Sequence, residues 1–351
     1  MNAQLTVHSP RPTGAYGITR YSDVVVDHNR IDPNTGLPRK LALDIWLPTE
    51  QRIPIVSYDE RALNYWRTAK FWTEKQKSIL DYELNTFGQY SSSEQIFPQS
   101  SDLIPVVIFS HGFGAWASFY SYIIEEIVSH KIAVIGINHT YQAGIAQFPN
   151  ETIFGKMTHS DLFKSRYAKK EQALMLQDLM SVISKIASDF SALNQNNLVV
   201  MGQSLGGSTA IHACMTIPQL RGCINLDGAL FGEIPSFKTC CPLLLLLGEE
   251  SINSMRQDTD NINLSSKLGI SPEQAKDFKE CYFDRLERIC YENRNAEKVI
   301  LAGVDHTGFT DFVFLKKSKL FEEVPIGKKC CDEIICEIRE RVLNFLHRVL
   351  I

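Results

Sequence analysis

No apolar run in this chain of 351 residues approaches the length of about 18 that spans a bilayer as a helix. The segment Met1 to Pro12 is polar and proline-containing and lacks the apolar core of a secretory signal, so a cytoplasmic location is expected. There is no large excess of either charge sign: the net charge of -4 gives nothing that points to nucleic acid, which is not expected as a partner, and no bulk attraction to an anionic membrane. No repeat is visible. Nine cysteines are present, but none form C-x-x-C and no cysteine–histidine set has zinc spacing. No metal or other cofactor is therefore expected, and the thiols read as reduced and partly buried.

What is present is a globular composition, 44% hydrophobic and 22% charged, arranged as strands that alternate with helices. An antiparallel hairpin opens the chain. Asp23–Asp27 and Leu41–Trp46 are strand-like about the turn Asp32-Pro33-Asn34-Thr35-Gly36. From Pro105-Val106-Val107-Ile108-Phe109 onward the strands are continuous apolar runs, as expected of strands buried on both faces. The fold class expected is α/β: a mostly parallel central sheet with helices on both faces, in one domain spanning 1–351. Two segments read as insertions, 50–100 and 251–296. The first carries a helix-like stretch, Ala62 to Glu83, rich in aromatics (Trp66, Phe71, Trp72), and then a polar loop, Gln89 to Ser101. It either packs on the main body or offers an aromatic surface for peripheral membrane contact or a lid.

The most informative stretch is Leu198-Val199-Val200-Met201-Gly202-Gln203-Ser204-Leu205-Gly206-Gly207. An apolar strand runs into G-x-S-x-G and then a helix-forming segment, which places Ser204 at the apex of a sharp turn as a candidate nucleophile. A serine hydroxyl needs a base and an oriented imidazole, and ligands of parallel sheets bind beyond the carboxyl ends of the strands. His306 follows the last strand in a glycine-flanked loop and is the candidate base. His111 and His139 precede the serine, His212 lies on the helix after it, and His347 is on the terminal helix. The acid is open between Asp227, after the strand following the serine, and Glu249 or Glu250, after the next strand. For an oxyanion, the backbone N–H of Leu205 and of Phe113 in His111-Gly112-Phe113-Gly114 are the candidate donors.

These pieces resemble a known family. Phe109-Ser110-His111-Gly112-Phe113-Gly114, Gly202-Gln203-Ser204-Leu205-Gly206-Gly207, Asn225-Leu226-Asp227-Gly228 and His306–Phe312 are similar to motifs of the platelet-activating factor acetylhydrolases of the plasma and type II kind, α/β-hydrolase lipases. The resemblance implies a triad of Ser204, Asp227 and His306, with oxyanion donors on Phe113 and Leu205 and no metal. It selects Asp227 because that family's acid lies close after the serine. It also implies hydrolysis of a short or oxidised sn-2 acyl chain of a phospholipid, so the partner expected is a lipid or ester substrate. The loop Asn138-His139-Thr140-Tyr141 departs from the family pattern. Small soluble esters, lactones or polyesters are the alternative substrates, and a scaffold kept only for binding is the remote one.

Overall fold

The computed structural model describes residues 4–351 apart from 53, 71, 94–102, 156–166 and 235. Nine strands form the central sheet: β1 (Gly17–Ile31), β2 (Pro38–Thr49), β3 (Ser91–Ser92), β4 (Ile104–Ser110), β5 (Ala133–Asn138), β6 (Leu193–Gln203), β7 (Gly222–Leu226), β8 (Leu243–Gly248) and β9 (Ala296–Leu301). Their order across the sheet is β9-β8-β7-β6-β4-β5-β2-β1-β3. From β9 to β5 the neighbours are parallel, whereas β2 pairs antiparallel with both β1 and β5. The hairpin turn is closed by Gly36 N–H donating to Asp32 O at 2.9 Å, with Gly36 at φ 69°.

Because side chains alternate across a strand, the apolar runs feed two cores. Val107, Phe109, Val199, Met201, Leu244 and Leu246 pack on one face, against helix Ser121–Ser129 and the terminal helix Cys331–Leu350. Val106, Ile108, Val200, Cys223, Leu243 and Leu245 pack on the other, against helices Tyr167–Asp189 and Leu205–Thr216. Burial on both faces explains why these strands carry no polar alternation.

The first insertion differs from expectation in an instructive way. Ala62 to Glu83 is not one helix but three: Glu60–Thr68, Glu74–Lys77 and Leu80–Leu84. Ala69 turns extended (ψ 140°), and a reciprocal capping box between Thr73 and Gln76 starts a new helix. Trp66 and Trp72 are 3% and 5% exposed, and the Trp72 indole N–H donates to the Trp66 carbonyl at 2.6 Å. Neither is placed to meet a membrane surface, which corrects that expectation for both. Phe71 lies outside the described residues, as do residues 94–102 of the polar loop. Ser91 and Ser92 in that loop form the sheet's edge strand instead, pairing with Ile18 and Thr19. The second insertion, 251–296, is built on helices Glu249–Gln257, Ile262–Leu268, Pro272–Tyr282 and Asp284–Glu292, and Tyr282, Leu286 and Ile289 join the second core. No described helix is long and apolar enough to cross a membrane.

A buried carboxyl on helix Ser121–Ser129 gives the fold a titratable weak point. Glu125 Oε1 accepts from the Tyr90 and Ser91 N–H groups and the Ser91 hydroxyl, each at 2.8 Å, but Oε2 has no partner among the described residues. Burial pushes its carboxyl up to about 7, and burial likewise lifts nearby Asp311 to about 6. A carboxyl raised on folding contributes stability below its unfolded value that is lost as pH climbs through the folded value. The wild-type Tm is therefore expected to fall as pH rises from about 4.5 through about 7, with Glu125 accounting for on the order of 3 kcal/mol. Glu125→Gln should flatten that slope and raise Tm by a few degrees above about pH 7. Melting curves across pH test this, and an unchanged slope in the variant refutes it.

Candidate active site

Strand register brings the sequence-selected residues to one edge. Ser110, Gly202 and Asn225 lie side by side on β4, β6 and β7, and the ladder continues as Ser204 N–H donates to Leu226 O at 3.0 Å and Asp227 N–H to Leu246 O at 2.8 Å. Ser204 sits at φ 54°, ψ -116°, a left-handed strained conformation for a residue with a side chain, and the helix begins directly after it at Leu205. This elbow needs small neighbours. A Cβ on Gly206 would lie 2.0 Å from Ser110 O, against backbone that cannot yield. Leu205 is the first helical residue, so its N–H has no acceptor within its own helix.

Asp227 and His306 meet in a hydrogen bond of 2.8 Å between Oδ2 and Nδ1. The Asp227 side chain is fully buried, and it also accepts from Gly248 N–H (2.8 Å), the Ser251 hydroxyl (2.9 Å) and the Tyr282 hydroxyl. Burial alone would favour the neutral acid, but the hydrogen bond and charge of His306, with Tyr282 and Gly248, hold this carboxyl below its usual range. Glu249 lies elsewhere: its Oε2 accepts from Gly303 N–H at 2.9 Å. Glu250 pairs with Lys328 at 3.0 Å. Tyr282 and Ser251 were not legible as site residues, since both come from helices of the 251–296 insertion and reach Asp227 only through folding.

With Nδ1–H committed to Asp227, Nε2 of His306 presents its lone pair. That lone pair faces the Gln203 side-chain nitrogen at 3.1 Å. The amide is oriented by Tyr120, whose hydroxyl donates to Gln203 Oε1 at 2.9 Å while accepting from Gly112 N–H at 3.0 Å. A polar chain thus links the glycine loop after β4 to the imidazole. The loop is packed hard on the elbow, for a Cβ on Gly112 would stand 2.2 Å from Gln203 Oε1.

A second buried network underlies that loop. His111 bonds through Nδ1 to Gly112 O at 2.7 Å, and its Nε2 accepts from His139 N–H at 3.1 Å. Burial, then the neighbouring His139, pushes His111 down to about 3, so it is neutral and Nδ1 carries the proton. Holding the Gly112 carbonyl fixes the plane of the Gly112–Phe113 peptide and the direction of the Phe113 N–H. His139 in turn links the Ser110 hydroxyl (2.8 Å, Nε2) to Asp178 (3.0 Å, Nδ1), and Arg39 closes on both Asp178 oxygens at 3.1 and 2.7 Å. This serine–histidine–aspartate line has the composition of a triad, but Ser110, His139 and Asp178 are all fully buried. Its geometry serves as a strut. The sequence placed His111 and His139 at strand ends; their pairing with Asp178, from a distant helix, was beyond it.

Ser204, Phe113, Leu205, Asp227 and His306 all line one cavity of about 540 Å³, walled largely by aromatic and aliphatic side chains including Trp66, Phe231, Met255 and Phe312. Its size suits a small organic ligand. The His306 side chain is 42% exposed, so the imidazole is reachable.

Comparison with known proteins agrees with this architecture. The chain's fold is similar to that of a ferulic acid esterase from Streptomyces cinnamoneus (TM-score 0.72, 19% identity, 99% of this chain and 93% of that one). It is also similar to a dienelactone hydrolase-like promiscuous phosphotriesterase from metagenomic libraries (TM-score 0.52, 9% identity, 95% and 99%). These likenesses show the α/β-hydrolase fold. By sequence it is similar to a platelet-activating factor acetylhydrolase from Cavia porcellus, 23% identical over 280 residues, covering 72% of this chain and 59% of that protein. A probable 1-alkyl-2-acetylglycerophosphocholine esterase from Arthroderma benhamiae is 22% identical over 238 residues, covering 64% and 59%. The matched region thus spans about 59% of the length of these curated relatives. The family described as platelet-activating factor acetylhydrolase, isoform II, matches residues 44–179 and 181–350, and the chain belongs to that family.

Proposed function

We propose that this protein is a serine carboxylic-ester hydrolase whose nucleophile is Ser204, whose base is His306 and whose acid is Asp227. The observation that carries the reading is the 2.8 Å bond between the buried Asp227 carboxylate and the accessible His306 imidazole, which stand with Ser204 on the wall of one cavity. Ser204 Oγ attacks the acyl carbonyl as Nε2 of His306 takes its proton, which requires the Gln203 amide to cede that lone pair. The tetrahedral oxyanion is received by the N–H groups of Phe113 and Leu205. The imidazolium, stabilised by Asp227, then protonates the leaving alcohol, and water repeats the sequence in reverse roles to free the acid.

The substrate we infer is a phospholipid with a short or oxidised sn-2 acyl chain. Family membership and the names of the relatives support this, as does an apolar cavity large enough for a short acyl group. Comparing kcat/KM on short-chain sn-2 phospholipids with kcat/KM on p-nitrophenyl acetate and butyrate tests it. A preference for the phospholipid of at least about tenfold, roughly 1.4 kcal/mol of differential transition-state binding, is expected. Turnover of the small esters with none of the phospholipid would turn the assignment to a soluble-ester hydrolase.

A further inference from the structure

At the opposite ends of the elements that carry the candidate site, three sulfurs converge. Cys214 lies on the helix that follows Ser204, Cys223 on the strand that leads to Asp227, and Cys241 just before β8. Cys241 Sγ is 3.5 Å from Cys214 Sγ and 3.9 Å from Cys223 Sγ, and all three sulfurs lie within 4.8 Å of one another. Cys214 and Cys223 are fully buried and Cys241 is 7% exposed. Backbone bonds hold the arrangement in place: Cys240 N–H donates to Cys214 O at 2.7 Å, and Cys223 N–H to Pro242 O at 2.9 Å.

These separations suit metal ligation, and no disulfide joins the three thiols. A disulfide needs sulfurs about 2.05 Å apart, far inside the closest pair here. A metal with bonds of about 2.3 Å to sulfur sets its ligands about 3.8 Å apart in a tetrahedral arrangement and about 4.0 Å apart in a planar trigonal one. The edges of 3.5 and 3.9 Å need shifts of only tenths of an ångström, and the third edge is no longer than 4.8 Å. Thiolates without histidine or carboxylate select soft ions. Cys241 lines a surface cavity of about 710 Å³ that also holds Arg221, Arg294 and Arg348, the last paired with Glu297 at 2.8 Å. That cavity brings solvent to Cys241 and places the Arg221 and Arg294 cations near a site that gains negative charge when its thiols ionise.

We propose that Cys214, Cys223 and Cys241 form a binding site for one soft, thiophilic d10 metal ion, with Cu(I) the best match to three sulfurs. Binding releases the thiol protons to solvent and ties the serine's helix, the acid's strand and the start of β8 together. Sequence spacing could not reveal the site, because the three cysteines meet only across a helix and two strands. The inference is independent of the esterase assignment.

The test uses reduced full-length protein under anaerobic conditions, titrated with Cu(I) against a chromophoric Cu(I) chelator. One equivalent should transfer to the protein and raise its Tm, and X-ray absorption at copper should show a sulfur-only shell at about 2.3 Å. A Cys240→Ala/Cys330→Ala/Cys336→Ala variant, which removes exposed thiols, should keep that equivalent, and Cys223→Ala/Cys241→Ala should lose it. The proposal is overturned if the wild type takes up no copper or shows a nitrogen- or oxygen-dominated shell. It is equally overturned by full binding in the Cys223→Ala/Cys241→Ala variant, or by a Cys214–Cys241 disulfide in metal-free protein. The spectrum is taken on wild type, so a variant that fails to fold does not remove the test.

Discussion

Ser204→Ala is expected to lower kcat on a short-chain ester by roughly five to six orders of magnitude. The loss is large because, in the proposed mechanism, this hydroxyl forms the acyl-enzyme. The His111–Gly112 loop and the Leu205 N–H would remain, so the residual rate should be that of oxyanion binding and substrate positioning alone. The fold should persist. The strain at φ 54° belongs to the backbone, and alanine at this position loses only a half-buried hydroxyl. Unchanged melting with vanished turnover is the expected pair of results, and fluorophosphonate should label wild type at Ser204 and leave the variant unlabelled. Turnover within about tenfold of wild type would sink the nucleophile assignment. An unlabelled and inactive wild type would turn the reading to a scaffold used for binding.

Asp227→Asn carries the second largest expectation, a fall of about four orders of magnitude in kcat with little change in KM. Asparagine is nearly isosteric, but its amide turns a donor toward Nδ1 of His306, where the carboxylate accepts at 2.8 Å. The imidazole must then carry its proton on Nε2, the nitrogen that has to receive the serine proton. The variant also leaves the Tyr282 and Ser251 hydroxyls and the Gly248 N–H facing a weaker acceptor, so thermal melts accompany the kinetics. Glu249→Gln is the matched control, since its remaining amide oxygen still accepts from Gly303 N–H. It should stay within a few-fold of wild type. A severe Glu249→Gln beside a mild Asp227→Asn would move the acid to Glu249.

Much of the site's placement was readable from local pattern. Apolar runs that end in Ser110-His111-Gly112, Gly202-Gln203-Ser204, Asp227-Gly228 and Gly303–His306 mark strand ends, and in a parallel sheet strand ends share an edge. Composition and spacing left two acids open, because Asp227 and Glu249 both follow buried strands. What separates them in the structure is a side-chain direction: one meets His306 and the other a backbone amide. The aromatic stretch around Trp66 and Trp72 shows the converse limit. Its residues could serve a membrane or a core equally well, and only packing against Phe321, Phe119 and the cavity wall put them inside.

By itself, the sequence determined the layered sheet with its antiparallel opening hairpin and the elbow geometry around Ser204, because each follows from short-range rules of strand periodicity and turn sterics. Only tertiary structure decided which carboxylate faces His306, which hydroxyls from the 251–296 insertion brace it, and which histidines form the buried strut beneath the glycine loop. The same holds for the three cysteines that converge behind the site. Each of these depends on the direction of side chains brought together from distant segments, and that direction is set by packing the helices onto the two faces of the sheet.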